Sequence, residues 1–563
     1  MSEDFKERTV KFAKPQKNIY VQNGFIYIRL PYMHRDWCRS LPGRRWIESQ
    51  RVWQCPATPI VAHTIYAGLG NIYAALDQSF IDLVDEYNFA LVADITKYAS
   101  NLPAVENMKT APMLHQRQAY WYALRKSGCL LEMGMGTGKT WVALALIGNL
   151  RMSRVLVVCP KSVIPVWQAE FDKHSLYCSR VVTLIDGSVQ DKAVRAAVAL
   201  IDSSPVILPL ILVVNYESVW RNPMHDLVLN NKWNMVVLDE SQRAKAPGGK
   251  ASMFLSHLRN RCDKRLLLSG TPMDDKPLDI YAQFRFLDPG VFGTSYSTFK
   301  SRYVDEDRYG GVRNYRNQDE LRDKYRSVTF QVSRDVLDLP MSMSTERFCD
   351  LPDGEAKRIY KNLERDYFAW IKEGSEVTPA NALVKLLRLH QLAGGHITDD
   401  AGIQTIIHRA KQDLLRDVLA NEIPSAEPVV VFANFRQDLE FIRELAPSVQ
   451  RSVGELSGSR NDLEKWQQGN INLLAVQIRT GSLGIDLTRA AYCIYYSVSF
   501  SRGSYAQSLA RVHRPGQMRS VLNIHLITRG TVDRKIYRIL AQKKEVIDSI
   551  IGEMEYTDVD VAL

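Results

Sequence analysis

Short continuous runs of apolar residues recur along most of the chain, separated by stretches with helical periodicity. Between residues 110 and 335 they are Val155-Leu156-Val157-Val158, Ile211-Leu212-Val213-Val214, Met235-Val236-Val237-Leu238 and Arg265-Leu266-Leu267-Leu268. The same grammar returns in Val429-Val430-Val431-Phe432, Leu473-Leu474-Ala475-Val476, Cys493-Ile494-Tyr495-Tyr496 and Val521-Leu522-Asn523-Ile524. Strands that are apolar at successive positions are buried on both faces, which predicts parallel sheets covered by helices, in two α/β lobes. Between the lobes, residues 341 to 420 turn helical in pattern, as in Ala382-Leu383-Val384-Lys385-Leu386-Leu387-Arg388-Leu389.

The first 105 residues read differently. Ile19 to Gln22 and Phe25 to Arg29 flank Asn23-Gly24, a pair that accepts the positive φ angles of a tight hairpin turn. A second pair, Arg44 to Ile47 and Arg51 to Cys55, flanks Glu48-Ser49-Gln50. These predict a small β-containing module followed by helices. The 563 residues are enough for about three folding units. We place them at 1–105, 106–335 and 336–563, the last with a helical insertion at about 341–420.

Composition narrows the class. With 46% hydrophobic and 24% charged residues, the chain is neither disordered nor fibrous. A formal charge of +10 favours a polyanionic partner, and residues 1–60 concentrate it, with eleven Lys and Arg against five acids. Eight scattered cysteines form no CxxC pair and no zinc-like cluster, which points to a reducing compartment. The first residues lack the apolar stretch of a secretion signal. The longest apolar run, around Val206 to Val214, is too short to cross a bilayer and reads as a buried strand. A cytoplasmic protein without a membrane partner is expected, from a bacterial or viral source because long extensions are lacking.

Candidate chemistry begins at Gly134-Met135-Gly136-Thr137-Gly138-Lys139-Thr140, between Cys129-Leu130-Leu131 and a helix-forming run. Such glycines let backbone N–H groups curl around phosphates, Lys139 reaches the terminal phosphates, and Thr140 is placed to hold Mg²⁺. Met133 stands where the strict pattern has its first glycine. About a hundred residues on, an apolar run ends in Asp239-Glu240. This suits a metal-holding Asp239 and a Glu240 that orients or deprotonates water. In Gln507-Ser508-Leu509-Ala510-Arg511-Val512-His513-Arg514, the two arginines are one helical turn apart, two guanidiniums that fit an arginine-finger role or a solvated basic helix face.

In order, these segments resemble the motifs of the Swi/Snf-like ATPases of helicase superfamily 2, from about Leu114 to Lys544. Leu114-His115-Gln116-Arg117 is similar to the family's adenine-reading motif, and Val157 to Ser162, continuing to Trp167 and Phe171, to its next motif. Asp239 to Lys245 resembles the DExH box, Ser269-Gly270-Thr271-Pro272 the coupling motif, and Thr480 to Thr488 and Gln507 to Gln517 the last two. The departures are Gln242 for the usual His, Asp275 for a common Asn, and Gln331 to Arg334 for an Arg-Arg-x-Lys signature. The resemblance implies two RecA-like lobes with helical insertions beside a small N-terminal α+β module, with ATP and Mg²⁺ as cofactors. It implies translocation along duplex DNA, generally without processive unwinding.

By residue, it implies nucleotide contacts from Gln116, Gly134, Gly136, Thr137, Gly138, Lys139, Thr140, Gly484 and Asp486, and catalysis by Lys139, Asp239, Glu240, Arg511 and Arg514. Metal would rest on Thr140 and Asp239, and coupling on Ser269, Gly270, Thr271 and Gln507. DNA contacts fall to Lys161 and Lys245, and to Arg44 and Arg45 in Leu41-Pro42-Gly43-Arg44-Arg45-Trp46, which resembles the HARP module of annealing helicases. Trp37, Trp46 and Trp53 read either as stacking platforms for exposed bases or as core of the module. The expected activity is DNA-stimulated ATP hydrolysis that remodels or anneals forked DNA. The alternatives are the same motor docked on another machine, such as RNA polymerase or a defence complex, or a non-hydrolysing DNA-binding scaffold.

Overall fold

A computed structural model describes residues 18–69, 75–96, 99–201, 208–307, 311–372, 379–399, 402–481 and 485–551. At its amino-terminal end, β1 (Ile19–Gln22) and β2 (Phe25–Ile28) pair antiparallel across Asn23-Gly24, both at positive φ. With β3 (Arg45–Ile47) and β4 (Val52–Pro56) they form a sheet of order β1-β2-β4-β3. Ile19, Ile26, Ile28 and Cys55 are buried on one face, and the helices Pro59–Leu69 and Gln78–Thr96 close over it. Trp46 and Trp53 face each other across the strands at 5.2 Å. Trp46 is 41% exposed, while Trp53 packs against the core.

The next lobe contains β5 (Gly128–Met133), β6 (Arg154–Cys159), β7 (Arg180–Thr183), β8 (Leu210–Asn215), β9 (Trp233–Asp239) and β10 (Cys262–Ser269). A hairpin of β11 (Val304–Glu306) and β12 (Val312–Tyr315) precedes β13 (Thr329–Val332). Seven strands lie parallel in the order β13-β5-β10-β9-β6-β8-β7. Alternate residues feed opposite cores: Leu156 and Val158 on one face, Val155 and Val157 on the other. Burial on both faces is why these strands carry no polar alternation.

The last lobe contains β14 (Ser342–Cys349), a hairpin of β15 (His396–Thr398) and β16 (Gln404–Ile406), then β17 (Val429–Ala433), β18 (Val453–Leu456), β19 (Leu473–Gln477), β20 (Tyr492–Tyr495) and β21 (Val521–Thr528). Its six-stranded parallel sheet has the order β14-β21-β20-β17-β19-β18, with Val430 and Phe432 on one core face and Val429 and Val431 on the other. The fold is thus two helix-flanked parallel sheets with a small α+β module.

Three local expectations change. Residues 341 to 420 include the helices Glu355–Lys372, Pro379–Gly394 and Ala410–Asp417, but they open with β14 and also hold the β15–β16 hairpin. β14 lacks an apolar run because it is an edge strand, paired among the described residues to β21 alone and largely exposed along its first half. The strand read within Val206 to Val214 is β8, which starts at Leu210; residues 206 and 207 lie outside the described part. Arg511 and Arg514 do not share a helical face: the helix Arg502–Val512 ends first, and His513 is extended. Pro515 disfavours helical geometry at the residue before it, so the turn that would have aligned the two arginines is not made.

The helix Val532–Ile551 bridges the lobes: Ile536 and Leu540 belong to the last lobe's core, whereas Ile547 is buried in the core of the lobe built on β5 to β10. Among the described residues, no helix is long and apolar enough to cross a membrane.

Candidate nucleotide cleft between the lobes

The parallel register brings the carboxyl ends of β5, β10 and β9 side by side, Ser269 opposite Glu132 and Asp239 opposite Leu268. Loops at this edge of a parallel sheet are where such folds bind ligands. β5 runs into the glycine loop, and Gly138, at φ +86°, starts the helix Lys139–Asn149. A side chain at Gly138 would strike Gln116, so its absence lets the preceding helix close on the loop. Gln116 donates its amide to Thr137 O at 3.0 Å and accepts from the Met113 N–H, while His115 Nε2 lies 2.9 Å from the same Thr137 oxygen. The residue expected to read a base therefore braces the loop, with both ends of its amide engaged. Thr137, fully buried, donates to Gly134 O at 2.6 Å.

Lys139 donates to the carbonyls of Met133 at 2.8 Å and Gly134 at 3.3 Å. Burial lowers its pKa, and the nearby Glu240 and Asp239 charges oppose that shift. Asp239 is 6% exposed. Burial, reinforced by the Glu240 charge, raises its pKa to about 6, against the pull of Lys139. Trp167 Nε1 donates to one Asp239 oxygen at 3.1 Å, and the Glu240 N–H to the other at 3.0 Å. Glu240 adopts a left-handed conformation, φ 51°, unusual for a side chain with a Cβ. Asp239 and Thr140 offer hard oxygen donors, and a carboxylate costly to ionise without a cation beside it suits a hard divalent ion such as Mg²⁺, which is held by few protein ligands.

From Glu240 a hydrogen-bonded chain crosses to β10. Gln242 donates to Glu240 Oε2 at 2.7 Å and accepts from the Ser269 hydroxyl at 2.8 Å, and Ser269 Oγ accepts from the Thr271 N–H at 3.0 Å. A glutamine amide can donate at one end and accept at the other, which is what this position requires. Gly270 lies against Met133, at the end of β5, and Met135 of the glycine loop.

The last lobe closes over this edge. A Cβ at Gly136 would lie 2.6 Å from Pro515 Cδ. Arg511, 8% exposed, sits within the field of Glu240, Asp239 and Asp486, and burial lowers its pKa. Arg514 donates to Ile485 O at 3.2 Å. A third guanidinium, Arg334, packs over Gly134 and donates to His513 O. Asp486 is exposed and holds Thr488 through its N–H at 2.9 Å and its hydroxyl at 2.7 Å. Gly484 lies outside the described residues. Gln507 and Gln242 line one cleft between the lobes, with Tyr216, Trp220, Arg243 and Asp274.

The residues expected at DNA are not alike. Arg44, Arg45 and Lys161 are exposed. Lys245 is engaged by Asp274 at 2.6 Å, Asp275 at 3.1 Å and Asp279 at 3.7 Å. Burial disfavours its charge, but the three carboxylates outweigh it and raise its pKa. Sequence reading placed Gln242 and Arg334 as departures without a role. A glutamine two residues after the paired acids is the available signal for the first, and nothing local marks the second.

Residues 44–394 match the SNF2-related domain, and residues 410–516 the helicase conserved C-terminal domain. The chain is 25% identical over 468 residues to "Chromodomain-helicase-DNA-binding protein 1-like" of Danio rerio, covering 78% of this chain and 44% of that protein. It is 24% identical over 489 residues to "DNA repair and recombination protein RAD54B" of Gallus gallus, with 75% and 52% covered. It thus spans about half the length of these relatives. A solved structure, the Sulfolobus solfataricus SWI2/SNF2 ATPase core in complex with dsDNA, aligns over 80% of this chain and 95% of that one at 24% identity, with a TM-score of 0.39. With well over half of its residues inside the first of these matches, the chain belongs to the SNF2-related domain family.

Proposed function

We propose that this chain hydrolyses ATP in a DNA-stimulated cycle, moves along duplex DNA and remodels forked DNA. The observation that carries the reading is the composite cleft: Lys139, Asp239 and Glu240 of one lobe share an electrostatic environment with Arg511 of the other. Lys139 and the loop N–H groups hold the terminal phosphates, and Glu240 orients the water and receives its proton. The bond from the terminal phosphorus to the bridging oxygen breaks as the bond to water forms, and Arg511 offsets the charge that develops. Thr140 and Asp239 would hold Mg²⁺, which supplies further charge neutralisation when bound.

The chain Glu240–Gln242–Ser269–Thr271 gives nucleotide state a physical route toward Gln507 and the interlobe cleft. Arg44 and Arg45, exposed beside Trp46, supply phosphate contacts and a stacking surface for branched DNA. The relatives' names, a helicase-DNA-binding protein and a repair and recombination protein, agree with a DNA motor. A docked motor is the second reading, favoured by Tyr32 at 79% and Met33 at 81% exposure on the same module.

The deciding measurement is ATP turnover with no DNA and with single-stranded, duplex and forked DNA. Stimulation greatest on forks is expected. Equal rates with and without DNA defeat the motor reading, and stimulation equal on duplex and fork leaves the docked motor.

A further inference from the structure

The turn after Ser269-Gly270-Thr271 carries three carboxylates, Asp274, Asp275 and Asp279, and its own lobe supplies Lys245 against them. The second ammonium comes from the other lobe: Lys543 donates to Asp275 Oδ1 at 2.8 Å and to Phe500 O at 2.8 Å. The Arg502 N–H reaches the same Asp275 oxygen at 3.3 Å, and the Arg502 side chain donates to Met273 O at 3.3 Å. Gly503 sits so close to Asp274 that any side chain there would collide with its carboxylate. Although burial opposes ionisation, Lys543 and Lys245 hold Asp275 below the usual carboxylate range.

We propose that Lys543 and Asp275 form a charge clasp that holds the two lobes closed, and that both are positioning residues for the hydrolysis read above. When the lobes part, Asp275 loses Lys543, and three carboxylates are left with Lys245 and, beside Asp279, Lys276. Closure relieves that repulsion. The same helix anchors the clasp, since Lys543 lies one turn before Ile547, which is buried in the opposite lobe's core. The turn it grips directly follows Thr271, whose N–H completes the hydrogen-bonded chain to Glu240. The clasp and the water-facing carboxylate are therefore mechanically adjacent.

The inference rests on the ATP reading, and its test has one arm that does not. On saturating duplex DNA, Asp275→Asn and Lys543→Gln are each expected to raise the KM for ATP roughly two- to fivefold, the range for a partly exposed ion pair. The kcat changes less, the double variant is no worse than either single one, and Lys543→Arg behaves as the parent. Effects that add in the double variant, or an unchanged KM in both singles, overturn the clasp. Small-angle X-ray scattering of the nucleotide-free proteins reads lobe separation without any turnover. A larger radius of gyration is expected for Asp275→Asn and Lys543→Gln but not for Lys543→Arg, and equal radii overturn the proposal. A parent protein without ATP turnover would sink the hydrolysis reading while leaving this scattering comparison intact.

Discussion

Asp239 is poised against its own stability. A carboxyl whose folded pKa is raised to about 6 binds its proton more tightly in the native than in the unfolded chain. Its stabilising contribution is thus complete only below the unfolded value, about 3.9, and is lost as pH rises through about 6. At neutral pH it is held ionised at a cost. Asp239→Asn should therefore abolish ATP turnover, and the loss of melting temperature as pH rises through about 6 should be smaller in the variant than in the parent; equal losses would refute this account. Lys139→Ala removes the ammonium proposed to hold the terminal phosphates and should eliminate turnover while DNA binding persists, checked by ATPase and mobility-shift assays. Arg511→Ala should slow hydrolysis by roughly 10³ to 10⁵, as for other arginine fingers. A tenfold loss or less would remove Arg511 from the catalytic set.

At the level of strands and turns, the proposed coupling rests on how the ends of β9 and β10 are tied. Gln242 is the tie, bonded to Glu240 on one side and Ser269 on the other. Gln242→Ala should lower the ratio of DNA-stimulated to basal ATP turnover, because it severs that link between the two strand ends. A ratio equal to the parent's would show that the link carries no signal. Local pattern made the buried strands legible, since Val155 to Val158 or Val429 to Phe432 can be satisfied only inside a covered sheet. It did not reveal β14, whose Ser342-Met343-Ser344-Thr345-Glu346 start needs apolar neighbours on neither side, nor the end of the helix at Val512, where the deciding residue was Pro515. The glycine loop and the paired acids were likewise readable from spacing. The part played by Arg334 was not, because its partner His513 is 179 positions away in the chain.

Across the whole molecule, two buried histidines weigh on stability in acid. Burial lowers both His390 and His525 to about 4, so each is neutral when folded and gains a proton more readily when unfolded. The stability they protect is complete above about pH 6.5 and is lost as pH falls toward about 4. Melting temperature should decline steeply across that window, and less steeply in His390→Gln; parallel curves would exclude His390 as a cause. The amino-terminal module is tested at the same scale. Arg44→Ala with Arg45→Ala should weaken fork binding more than duplex binding in titrations with labelled DNA. Equal weakening of both would assign these arginines a general phosphate role.

Pro515 and Arg334 sit directly above Gly136 and Gly134. The glycine loop is thereby roofed by a proline and a guanidinium from beyond the loop itself. On the ATP reading proposed above, loading and discharge of nucleotide would require this roof to lift, and the pace of the engine would then be bounded by a hinge as well as by chemistry. A cross-link pinning position 515 to the loop would lock the door with the chamber in whatever state it held.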